Sequence, residues 1–163
     1  MTSLARFITA LNRSLFSLAK WLVYGIVFLM LWEVLSRYAF NHPTSWAPEL
    51  ATLIFGPFFL LGGPYLLHLG GHVAVDILSE KATGRTAQLL HLTGLLLAAI
   101  FGAILLWFSL PLVMQSVTYG ETSYSAWNPV LWPAKAFLPF SAALLSLQAI
   151  ADAIITVADP EAG

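Results

Sequence analysis

Glu33 and Arg37 are the residues best placed for chemistry in this sequence. They stand four apart with the acid first, the order that favours an ion pair along one helix face. They follow an apolar run, Trp21–Trp32, that carries no charge. An ionisable side chain at such a place has two uses. It is a carboxylate that carries a proton or substrate, or one half of a pair that fixes a helix against a neighbour. The adjacent cation favours the second use, because a proton-carrying carboxylate works with a shifted pKa and no permanent partner. Glu49 falls in the first turn of a second apolar segment, where a negative charge meets the positive end of the helix dipole. It also lies within reach of Arg37 across a short connection. Lys135 opens the last apolar segment, placed to snorkel to headgroups or to meet an anionic neighbour.

His68, His72 and Asp76 are spaced by four, a pattern that binds metals when one helix carries it. Gly70 and Gly71 interrupt that helix, and no fourth ligand is close in sequence. His42, His68, His72 and His91 all fall at segment ends or in connections, so they are not placed as axial ligands of a membrane haem. The chain has no cysteine, no glycine-rich phosphate loop and no hydrolase motif. The expectation is a protein without metal, cofactor or catalytic residue.

The elements that must position these residues are membrane helices. Of 163 residues, 59% are hydrophobic and 9% charged, far below the roughly 25% charge of a soluble domain. A soluble globule, a disordered chain and a basic nucleic-acid binder are excluded. The seven basic and eight acidic residues cluster, leaving Leu50–Val75, Thr86–Gly120 and Ala136–Ala151 uncharged. A spanning helix needs about 20 apolar residues. The reading is an all-α integral membrane protein in one domain, residues 1–163, with spans near 21–38, 46–69, 88–114 and 131–157. Ser45 is a candidate cap for the second span. The Gly and Pro residues from Gly56 to Pro64 predict kinks or close backbone approach there.

Before the first span, Leu4, Phe7, Ile8, Leu11, Leu15 and Leu18 recur at helical spacing, with Arg6, Arg13 and Lys20 lying mostly off that face. The pattern predicts a separate amphipathic helix over 3–19, lying in the interface with its cations at lipid headgroups. The alternative is that it simply extends the first span. A second short helix, Ile77–Thr83, is expected after Asp76. Five of the seven basic residues (Arg6, Arg13, Lys20, Lys81 and Arg85) fall on one side of the spans. The positive-inside rule then puts both termini in the cytoplasm. Tyr38, Trp46, Tyr119, Tyr124, Trp127 and Trp132 gather at the opposite ends as an aromatic belt.

Three blocks carry a family resemblance: Arg37-Tyr38-Ala39-Phe40-Asn41 followed by Trp46-Ala47-Pro48-Glu49-Leu50; Gly70-Gly71-His72-Val73-Ala74-Val75-Asp76; and Leu138-Pro139-Phe140 with Leu144–Asp152. With them the chain resembles the small, DctQ-like membrane subunit of tripartite ATP-independent periplasmic (TRAP) transporters. The resemblance implies a bacterial inner-membrane protein that scaffolds a large elevator-type membrane subunit. It implies a periplasmic binding protein as a further partner and sodium-driven uptake of organic-acid anions. It implies no substrate site in this chain. Glu33, Arg37, Trp46, Glu49, His72, Asp76 and Lys135 are the expected contacts to a partner or between helices. A competing expectation is an autonomous proton-coupled exporter using Glu33. Small four-helix exporters also carry an acid in their first helix, but theirs sits deeper and lacks the arginine.

Overall fold

The structure, a computed structural model, describes residues 2–70 and 85–158. Four long helices make up most of it: α1 Thr2–Tyr38, α2 Trp46–His68, α3 Arg85–Thr118 and α4 Trp132–Ala158. Each is long and apolar enough to cross a membrane. At 1.5 Å per residue α2 is about 34 Å long, close to the bilayer core of about 30 Å, and α1 about 55 Å, well beyond it. Among the described residues, helices α1, α2 and α4 pack on one another pairwise, while α3 touches only α4. Helix α4 is therefore the centre of the bundle.

The interfacial helix expected over 3–19 is not a separate element. Those residues run without a break into the first span as one 37-residue helix. Nothing between Lys20 and Trp21 stops a helix, since neither Gly nor Pro falls between Thr2 and Tyr24. The face turned inward is also the opposite of the amphipathic reading. Ala5, Asn12 and Ala19 are buried, whereas Leu4, Phe7 and Leu18 are exposed. In a bilayer the apolar side chains are the ones that tolerate the outside, and polar groups seek partners within the bundle.

Helix α2 passes through Pro57 and Pro64 without interruption. Pro64 has no N–H to give to the carbonyl of Leu60, one turn earlier. Ser141 of α4 supplies the missing donor, its hydroxyl 2.5 Å from the Leu60 carbonyl oxygen. The pin implies a conditional effect. Ser141→Ala alone should cost about 1 kcal/mol of stability, because it strands a buried carbonyl. In a Pro64→Ala background Leu60 recovers its own helical donor, and the same substitution should then be nearly neutral. Thermal unfolding of the four variants in detergent measures that coupling; equal effects in both backgrounds would refute the pin.

Ser45 occupies the N-cap position of α2, but its side chain makes no capping bond. At the other end Gly70, with φ 72°, turns the chain out of the helix, as expected for a left-handed stop. Gly102 marks a close approach of α3 to α4. A Cβ there would lie 2.9 Å from the backbone oxygen of Ala142 and against the Ser146 side chain. The Ser146 hydroxyl donates back across this contact to Ala99, 3.1 Å away. Gly56 and Gly63 in α2 have no such neighbour within 4 Å.

Candidate functional site

The polar groups of the chain form clasps at the two ends of the bundle. At the first end, α1 turns into α2 through Ala39–Ser45, with Asn41 in a left-handed conformation at φ 51°. Glu33 is only 4% exposed. One of its oxygens accepts from Arg37, at 2.5 Å from Nη2 and 3.0 Å from Nε. The other accepts from the Thr44 backbone N–H at 2.9 Å and from the Thr44 hydroxyl. The expected Glu33–Arg37 pair is thus formed within the helix, and it also ties α1 to the start of α2. Both carboxylate oxygens are occupied.

Glu49 reaches a different element from the one its sequence position suggested. Its Oε2 accepts a 2.6 Å bond from the Ser125 hydroxyl in the connection between α3 and α4. That connection is itself closed by an antiparallel bridge between Thr122 and Val130. The Asn128 side chain accepts from the Tyr124 N–H at 2.9 Å. Lys135 bonds Glu121 at 2.5 Å, fastening the same loop to the first turn of α4. Tyr119 and Tyr124 project from it, both more than 80% exposed. Trp46 opens α2 beside this end, partly exposed.

The Lys135 ammonium beside Glu121 holds that carboxyl below its ordinary value of 4.5. A depressed carboxylate contributes stability above its unfolded pKa and loses it as pH falls through its folded pKa. Amide exchange at Leu131, whose N–H donates to Glu121 at 3.0 Å, should therefore keep constant protection between neutral pH and about 5. Protection should fall below pH 4.5. Lys135→Met should remove that acid-dependent step; an unchanged profile in the variant would show that the pair does not hold the loop.

The clasp at the other end involves α1, α2 and α4. Gln148 is fully buried and Asn12 1% exposed. The Asn12 amide donates to Gln148 Oε1 at 2.7 Å. The Gln148 amide donates to Thr9 Oγ1 at 3.0 Å and to Asp152 Oδ1 at 2.9 Å. His68 Nδ1, at the end of α2, lies 2.8 Å from the same Asp152 oxygen. Asn12 Oδ1 and Asp152 Oδ2 are buried without a partner among the described residues. Of this group the sequence singled out His68, in a His-His-Asp spacing that the following glycines argue against as a metal site. Asn12 and Gln148 carried no signal, since 136 positions separate them.

His72 and Asp76, and the helix expected over Ile77–Thr83, lie outside the described residues. Arg6, Arg13 and Lys20 are exposed along α1 and have no carboxylate partner among the described residues. No group of three metal-binding side chains occurs among the described residues. The grooves between helices are lined by hydrocarbon. The one between α3 and α4, of about 670 Å³, is walled by Leu92, Leu95, Ala99, Ile150 and Ile154 among others. Such walls offer no hydrogen bond or charge to an anion. The acids and the buried amides are committed to joining helices, and the arrangement suits bracing rather than chemistry.

Residues 26–158 match the family model described as tripartite ATP-independent periplasmic transporters, DctQ component. No curated protein matches the chain.

Proposed function

The chain belongs to the DctQ family, the small, non-catalytic membrane component of tripartite ATP-independent periplasmic transporters, and from that membership we infer that its work is to brace its membrane partner. Membership in a tripartite transporter implies the other components. In this reading the chain lies in the bacterial inner membrane with both termini in the cytoplasm. It stiffens the large elevator-type subunit in the bilayer. Its outer clasp, with Tyr119 and Tyr124 projecting, forms part of the surface where the periplasmic binding protein docks. The cargo is an organic-acid anion, driven by sodium and bound by the other subunits.

One observation carries the reading. Each described acid of the spans and of their outer connections has an intramolecular partner: Glu33 with Arg37 and Thr44, Glu49 with Ser125, Glu121 with Lys135, Asp152 with Gln148 and His68. A carboxylate that couples transport must exchange its proton or ion during each cycle, and Glu33, bonded on both oxygens, is poorly suited to that. The same commitment speaks against an autonomous exporter built on Glu33. Large apolar side chains of α3, such as Trp107 at 77% and Phe108 at 69% exposed, leave broad surface for another membrane protein or for lipid.

Extraction of the native membrane in mild detergent tests the assignment. The chain should co-purify with a much larger multi-span protein. Recovery only as free chain or as a homo-oligomer would count against it.

A further inference from the structure

Lys20, Arg13 and Arg6 repeat every seven residues along α1, which places them on one side of the helix. Their depth follows from the clasps. Glu33 is tied to the start of α2, marking one boundary of the membrane. Arg13 lies twenty residues below it, about 30 Å along the axis, which is the thickness of the hydrocarbon core. Arg13 therefore sits at the opposite boundary. Lys20 is seven residues, about 10 Å, inside the core, and Arg6 as far outside it.

A charge facing lipid at the depth of Lys20 is costly unless it reaches the interface or a counter-ion. The Lys20 side chain bends back toward the N-terminal end of α1, its ammonium 4.6 Å from the centre of the Phe16 ring. That brings the charge about one turn nearer the boundary, close to the level of Arg13. Ser17 lies between the two on the same face, four residues from Arg13 and three from Lys20. Two cations and a hydroxyl so placed match one phosphodiester. Above them the same face carries Tyr24, Phe28 and Leu31, each more than half exposed. From Arg13 to Tyr24 is about 16 Å, half the core and so the depth of one leaflet, whereas Phe28 and Leu31 lie past the midplane.

We propose that this face of α1 binds one anionic phospholipid of the leaflet at the N-terminal end. Arg13, Lys20 and Ser17 hold its phosphate, and an acyl chain runs up the same face toward Tyr24. Charge complementarity commits the face to lipid, because the cations stop where the apolar stripe begins. The proposal rests on the chain spanning a bilayer, not on its transporter assignment, and residues 2–25 lie outside the family match.

Spin-labelled phosphatidylglycerol and phosphatidylcholine, added to the full-length protein in phosphatidylcholine vesicles, give the test. The wild type should prefer phosphatidylglycerol, by roughly fivefold for each cation engaged. Arg13→Gln with Lys20→Gln should erase the preference. Arg13→Lys with Lys20→Arg should keep most of it, and Arg6→Gln should change it little. Millimolar inorganic phosphate should not displace the labelled lipid. Equal association of the two lipids with the wild type, survival of the preference in the doubly neutralised protein, or displacement by free phosphate would overturn the proposal. So would a photocrosslinker at position 17 that captures protein rather than lipid in native membranes. Co-purification with a large subunit is read separately, so the two ideas fail independently.

Discussion

Gly102→Leu should detach α3 from the rest of the bundle. Among the described helices α3 has only α4 as a neighbour, and the two meet where a Cβ on residue 102 would stand 2.9 Å from the Ala142 backbone oxygen. A flexible side chain gives way to such a contact, but a helix backbone does not. The helices must separate, and the bond from Ser146 to the Ala99 carbonyl is lost with them. Overpacking of this kind costs about 3 kcal/mol. Gly102→Ala should show a smaller effect in the same direction. Removing the Ser146 side chain as well should not restore the wild type, because the Ala142 oxygen remains in place. The chain has no cysteine, so labels can be attached at two introduced sites without background. Spin labels at Phe108 and Phe140, both exposed, should give a narrow distance distribution in the wild type. In Gly102→Leu the distribution should be longer and broad. An unchanged distribution would mean that α3 is held elsewhere.

Gln148→Leu should have the second large effect. It removes three hydrogen bonds, to Asn12, Thr9 and Asp152, from a position with no exposure. At the modest value of hydrogen bonds between membrane helices, the loss is about 2 kcal/mol. Asn12→Leu should cost somewhat less. The double variant should be no worse than Gln148→Leu alone, because it leaves no stranded amide. Hydrogen exchange should show the loss concentrated in the first half of α1. If residues 3–19 instead lay flat at the membrane surface, Asn12→Leu would be neutral and only Gln148 would matter.

The four spans were legible in the sequence because desolvation leaves no freedom: charge must stay out of long apolar runs. Glu33–Arg37 was legible because four residues on a helix is a fixed distance. The start of α1 was misread for a physical reason. Its apolar stripe predicts a helix lying in the membrane interface, whereas the bundle buries Asn12 and turns Leu4, Phe7 and Leu18 outward. The partners of Asn12, His68, Glu49 and Lys135 depend on tertiary contacts, and spacing says nothing about those. Gly102 looked like any glycine in an apolar helix, while the Gly–Pro cluster of α2, which did stand out, leaves the helix unbroken. Its Pro64 matters through a carbonyl that Ser141 of another helix must satisfy.

That the chain supports transport without performing it is tested most directly in proteoliposomes with an imposed sodium gradient. Uptake of an organic-acid anion should require this chain, the large membrane component and the binding protein together. The chain alone should give no flux under a sodium or a proton gradient. Gradient-driven flux through the chain by itself would contradict the account.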